Sequence, residues 1–303
     1  MFIARIENKI GEVLTLTQTE SEFQVIRIDG LNPPKANVNM LSMANIDGAR
    51  FNNSKLETRE IVITLQLNGS GAEVEANRQR LYRYFPTKEW CKFYYTNNYR
   101  DVFIEAYVVT LEVSPFDNAQ QMQIAIECPQ PYFKSLNLII DDISKQIARF
   151  EFPFAFGSKG ATNVGVPSDP DTDDAIPFSE IEMDRVTNVY NNSESECGMI
   201  IEINIIQPIE TITIQNTDTG EFLTLNYSFQ QEDKIMIDTN RGQKSIVLIR
   251  QGITTNIFPS LVKGSTFFQL GIGNNYFGYT LGEGVEDSFV HIIFKHHIQY
   301  RGV

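Results

Sequence analysis

The stretch Gly30–Leu67, GLNPPKANVNMLSMANIDGARFNNSKLETREIVITLQL, decides the fold class. Leu31–Pro34 cannot continue a ladder, because Pro33 and Pro34 each fix φ and lack a donor. Asp47-Gly48 is a tight-turn pair, since both residues tolerate positive φ at little cost. Ile61, Ile63, Leu65 and Leu67 then alternate with Val62, Thr64, Gln66 and Asn68. That period of two predicts a strand with one buried face. Val62 leaves the other face only partly polar, so it also suits contact with protein.

Upstream, Val13–Thr17 and Phe23–Asp29 read as strands separated by a polar turn. Downstream comes one convincing helix. Ser70 with Glu73 has capping-box spacing, Val74, Leu81 and Phe85 share one stripe, and Pro86 stops the helix. Arg78, Arg80 and Arg83 lie largely off that stripe, as a solvated face or a subunit contact. Trp90–Tyr95 and Tyr99–Leu111 flank Asn97-Asn98 as a hairpin, and Met122–Cys128 is a further strand. Pro129 and Pro131 end the first unit.

From Ile181 onward short strands recur: Met199–Ile206, Glu210–Asn216, Glu221–Asn226, Lys234–Asp238, Ser245–Arg250, Thr266–Leu270 and His291–Ile298. Short strands without long helices between them predict an antiparallel sandwich. With 303 residues, 42% of them hydrophobic, two domains are expected, at 1–134 and 135–303. The Gly-, Pro- and Asp-rich segment 158–179 reads as an acidic loop or inserted arm.

Net charge is −13, and residues 141–196 carry 12 acids against 4 bases. Tight nucleic-acid binding needs clustered positive charge, which this chain lacks. The start, MFIARIENKIGE, does not read as a signal peptide, and no run approaches the roughly 18 apolar residues that span a membrane. Cys91, Cys128 and Cys197 are expected as reduced, buried thiols.

Tests for chemistry return no positive feature. Asp169, Asp171, Asp173 and Glu180 have partial calcium-loop spacing, but Asp174 stands where the loop needs glycine. Gly271, Gly273 and Gly278 miss dinucleotide-binding spacing, and Gly242–Ser245 lacks the first glycine of a phosphate loop. Adjacent His296 and His297 point to opposite faces of a strand, against joint metal ligation. No catalytic residue, cofactor site or metal site is therefore expected.

Several of these segments together resemble the distal tail protein family of siphophages, the siphovirus-type tail component. The N-terminal pattern is carried by Gly30, Leu31 and Pro33, then Asp47-Gly48, then Arg59 before the alternating strand. The helix ending Arg78, Leu81, Phe85 and Pro86 follows. The C-terminal pattern is carried by Thr219-Gly220-Glu221, Asp233, Ile235, Ile237-Asp238-Thr239 and Lys244-Ser245-Ile246, with Phe268, Leu270, Gly273 and Asn275 closing it. The resemblance implies a mainly β chain. Its N-terminal part would be a β-sandwich or split barrel with one α-helix, and its C-terminal part a galectin-like, jelly-roll type β-sandwich. It also implies a structural protein of the virion tail tip, made in the bacterial cytoplasm. Such proteins form a homo-hexameric ring that docks the tail tube protein, the tail-tip or tail-associated lysin protein, and receptor-binding proteins. DNA passes through the ring without specific binding, and no membrane is involved. The alternative is a carbohydrate-binding module, with Tyr276, Phe277 and Tyr279 stacking on sugar rings.

Overall fold

The computed structural model describes residues 2–18, 22–44, 47–113, 121–143, 186–282 and 289–303. Segment 158–179, with the calcium-like Asp169, Asp171, Asp173 and Glu180, lies outside them. In chain order the first elements are β1 (Ile3–Asn8), β2 (Val13–Leu16), β3 (Phe23–Asp29), β4 (Ala36–Ser42), β5 (Ala49–Leu56) and β6 (Arg59–Leu67). After them come α1 (Gly71–Tyr84), β7 (Trp90–Thr96), β8 (Asp101–Val113), β9 (Gln121–Cys128) and β10 (Phe133–Asp142). The second half holds β11 (Val186–Asn188), β12 (Ile200–Ile205), β13 (Ile209–Asn216), β14 (Phe222–Phe229), β15 (Lys234–Asp238), β16 (Ser245–Arg250) and β17 (Ile253–Asn256). A 3₁₀ turn (Phe258–Ser260), β18 (Tyr276–Leu281) and β19 (Val290–Tyr300) complete it.

The chain is mainly β with one α-helix among the described residues, as expected. The N-terminal strands run β2-β1-β7-β8-β9-β6-β3, all antiparallel. A parallel bridge from Thr17 to Gln24 brings the two ends of that run together, giving a split barrel. The alternation in β6 buries Ile61, Ile63, Leu65 and Leu67 in the barrel core and leaves Val62 half-buried. The helix α1 adds Val74 and Leu81 to that core, and Phe85 follows at its end. Glu73 accepts from the Ser70 main-chain N–H and hydroxyl, 2.8 Å each, so one carboxylate satisfies a free donor at the helix start. Arg78 pairs with Glu75 and Arg80 with Glu22, so both serve the chain's own surface.

The second half is a two-layer sandwich. One layer runs β17-β16-β15-β12-β19-β10 and the other β11-β18-β13-β14. Period-two burial aims Ile201 and Ile203, Ile235 and Ile237, Ile292 and Phe294 inward from the first layer. Ile212 and Ile214, Leu223 and Leu225, Phe277 and Tyr279 meet them from the second. The segment Thr266–Leu270, expected as a strand, is not one. Phe268 and Leu270 are buried, but the backbone forms no ladder: Thr266 N–H donates to Phe222 O, and Leu270 exchanges two bonds with Cys197 in an isolated bridge.

Strand β10 joins the two halves. It pairs with β8 at Lys134 and Ser135 and with β19 along its length, so barrel and large sandwich layer form one 13-stranded sheet. Phe133 at its start belongs to the barrel core, and Ile143 just past its end to the sandwich core. Tyr300 and Val303, beyond the sandwich, pack back onto the barrel core.

Candidate functional site

The first group of motif residues forms a knot beneath the barrel. Arg59 opens β6 and is 3% exposed. Its guanidinium donates from Nε to Pro131 O at 2.8 Å and from Nη1 to Asn32 O at 2.7 Å. Further bonds go from Nη1 to Gly30 O and from Nη2 to Arg301 O. The planar fork also stacks on the Phe133 ring, 4.5 Å from its centroid. Burial pushes this guanidinium down from the usual arginine value. One side chain thus ties the Gly30–Asn32 turn, the exit of β9 and the end of the chain.

The neighbouring motif residues support the knot. Gly30 has φ +88°, a region L-residues rarely enter, and crowds the Glu60 backbone. The Leu31 carbonyl accepts from Val303 N–H at 3.1 Å, and Pro33 lies against Gly302. Arg100 makes a second grip: it donates to Gly302 O and to Glu194 at 2.9 Å, and lies 4.2 Å from the Tyr300 ring centroid. Nothing in the spacing of Arg100 announces that role, since Glu194 is 94 residues away and Gly302 is 202.

Asp47 and Gly48 sit elsewhere, both exposed, at the tip of a hairpin that projects from the barrel. Among the described residues, strands β4 and β5 pair only with each other. All seven residues of β4 are exposed, and in β5 only Leu56 is even half-buried. Val38, Met40, Leu41, Met43 and Phe51 offer apolar surface along this arm, with Met40 directly opposite Phe51. A lone two-stranded ribbon is at best marginally stable in water, and such an apolar surface suits a protein partner.

The C-terminal motif residues close turns. Gly220, at φ +72°, donates to Asn216 O at 2.9 Å in the β13–β14 connection. Asp238 Oδ1 accepts from the Asn240 main chain and side chain at 2.8 Å each. Thr239 is fully buried, and its hydroxyl both accepts from Met199 N–H and donates to Met199 O. Asn275 Nδ2 reaches Gly271 O and Gly273 O, pinning the glycine-rich segment as a turn before β18.

Three buried thiols are held protonated: burial pushes Cys91 and Cys128 up to about 12 and Cys197 to about 11. Among the described residues no group of three His, Cys, Asp or Glu side chains converges as a metal site, and no helix is long and apolar enough to cross a membrane. Phe277 and Tyr279, offered above as sugar-stacking rings, lie in the sandwich core, and only Tyr276 is exposed.

The whole chain is similar to solved phage structures. The SPP1 Dit protein, described as a hub adsorption apparatus in phages infecting Gram-positive bacteria, matches with TM-score 0.67 at 14% identity, over 98% of this chain and 99% of that one. A chain of the phage P2 baseplate, in its activated conformation with Ca, matches with TM-score 0.54 at 11% identity, over 98% of both chains. These likenesses show a shared fold. Comparison with curated proteins finds no match. Family models match at both ends: residues 11–128 fit the phage tail protein RIFT-related domain, and residues 192–297 fit the C-terminal domain of the siphovirus-type tail component. With the barrel and the sandwich each matched in turn, the chain belongs to the siphovirus-type tail component family, the distal tail proteins of siphophages.

Proposed function

We propose that this protein is a non-catalytic hub of the tail tip, with residues 1–134 forming a hexameric ring and residues 135–303 a galectin-like module at its rim. The observation that carries this reading is the β4–β5 arm, which exposes Val38, Met40, Leu41 and Phe51 and has no strand on either edge among the described residues. A closed ring repeats one heterologous contact until the rotation returns to its start, and covers such edges in every protomer. Family membership supplies the setting: the ring caps the tail tube, and the tail-tip protein and receptor-binding proteins attach to it. DNA crosses the centre without base-specific contact, in keeping with a net charge of −13. The motif residues Gly30, Leu31, Pro33, Arg59, Gly220, Asp238 and Thr239 act as braces, while Asp47 and Gly48 shape the tip of the arm. Assembly takes place in the bacterial cytoplasm.

Native mass spectrometry of the full chain tests the reading. A hexamer at micromolar concentration is the expected species. A chain that stays monomeric throughout that range overturns the ring.

A further inference from the structure

His296 and His297 sit where β19 passes from the sandwich to the barrel. Strands β10 and β19 pair in two runs, and their register shifts between Lys134 and Leu138. Ser135 fills the break: its hydroxyl accepts from Ile298 N–H at 3.0 Å and donates to Asn137 O at 2.7 Å. Its carbonyl lies 2.7 Å from His297 Nδ1, which therefore carries the proton of the neutral ring. Phe103 of β8 meets that ring edge-on at 5.2 Å.

The surroundings resist a second proton. Facing His297 are Lys134 of β10, Lys92 of β7 and Glu105 of β8. Glu105 is already engaged, by Lys134 at 3.9 Å and by Gln243 at 3.3 Å. His296 is 2% exposed, and among the described residues neither of its ring nitrogens has a hydrogen-bond partner of good geometry. The groups acting on its charge are His297 and the Tyr190 main chain. A cavity of about 20 Å³ touches both histidines. Its other walls are Lys134, Leu138, Gly198, Ile200, Asn240, Lys295 and Gln299, with no carboxylate among them.

We infer that this histidine pair makes the barrel–sandwich junction acid-sensitive, holding it closed while both rings are neutral and opening the β10–β19 pairing around Ser135 when they take up protons. Burial is the main cause that pushes both imidazoles below their ordinary value of 6.5. His297 adds to it for His296. For His297 the Ser135 carbonyl works against it and Lys134 and Lys92 work with it. A base whose pKa is lowered by folding binds fewer protons folded than unfolded. Its contribution is whole above 6.5 and is lost as pH falls below that value.

Hydrogen exchange of the full chain reads this directly. Between about pH 7.5 and about pH 5.5, opening of amides 134–139 and 296–300, corrected for intrinsic rates, should rise roughly tenfold, and in the double variant His296→Phe/His297→Gln it should not. An equal rise in the variant, or none in the natural chain, overturns the inference. Should the variant not fold, ring-proton NMR of the natural chain decides. Both resonances titrating below 6.5 support the inference, and either one titrating at or above 6.5 overturns it.

Discussion

A Cβ placed on Gly30 would stand 2.0 Å from the carbonyl oxygen of Glu60. The turn and β6 are in backbone contact there, and φ is +88°. Gly30→Ala therefore meets both a strained backbone and a clash with main chain that cannot swing away. Its denaturation midpoint should fall by clearly more than that of Gly220→Ala, where φ is +72° but a Cβ meets nothing within 4 Å. The latter should lose only about 1–2 kcal/mol, the left-handed backbone cost alone. Equal losses in the two variants would contradict the contact.

Arg59→Ala should be among the most damaging single changes in the barrel. Four main-chain carbonyls lose their donor at once. Loss of a buried, hydrogen-bonded charge of this kind is expected to cost about 3–5 kcal/mol, read as a lowered urea midpoint. Arg59→Lys should recover little, because an ammonium cannot present donors along a planar fork or stack on Phe133.

Arg250 and Asp233 give a pH-dependent case in the sandwich. Asp233 is 1% exposed and receives Arg250 Nε and Nη2 at 2.8 and 2.6 Å, with Gln230 N–H at 2.8 Å. Burial opposes its ionisation, but these bonds prevail and hold the carboxyl below its ordinary 3.8. A depressed carboxyl pKa stabilises above the unfolded value and stops doing so as pH falls through the folded one. Arg250→Met should thus lower the urea midpoint strongly at neutral pH. The gap to the natural chain should narrow as pH drops below about 3.8 and Asp233 protonates in both chains.

The thiols should be inert while the chain is folded. With Cys91, Cys128 and Cys197 buried and pushed to about 12, 12 and 11, almost no thiolate exists at pH 8. Ellman's reagent should find no fast-reacting thiol in native protein and three in guanidinium. A fast thiol in the native state would place one of them outside the core.

On the arm, Phe51→Asp should separate folding from assembly. Phe51 is 59% exposed, so the thermal midpoint should change by no more than about 0.5 kcal/mol in stability terms. Hexamer abundance in native mass spectrometry should fall sharply if the arm makes the ring contact. Unchanged assembly would move the contact elsewhere.

Where side-chain faces and backbone pairing coincide, the fold was legible. The alternation of Ile61–Leu67, the capped helix and the strands Lys234–Asp238 and Ser245–Arg250 all reappear in the structure. Strand β5 was invisible because ARFNNSKL is exposed on both faces and so shows no period. Strand β10 was hidden by its exposed Leu136, Leu138 and Ile140 and by the register shift after Lys134. At Thr266–Leu270 the opposite error arose: alternation reports which side chains turn inward, not whether the backbone has a neighbour to pair with. The motif positions were visible as residues, but not as a knot. That Arg59 gathers the carbonyls of Gly30, Pro131 and Arg301 is a fact of the tertiary structure, carried by no local period.

Because β10 is itself a rung of both the barrel and the sandwich, there is no slack tether between them. A pull on the sandwich therefore reaches the barrel lengthwise through β10, which is held to β19 along its length and to β8 at Lys134 and Ser135. The Arg59 and Arg100 clamps on the chain end act as a second strap beside that seam.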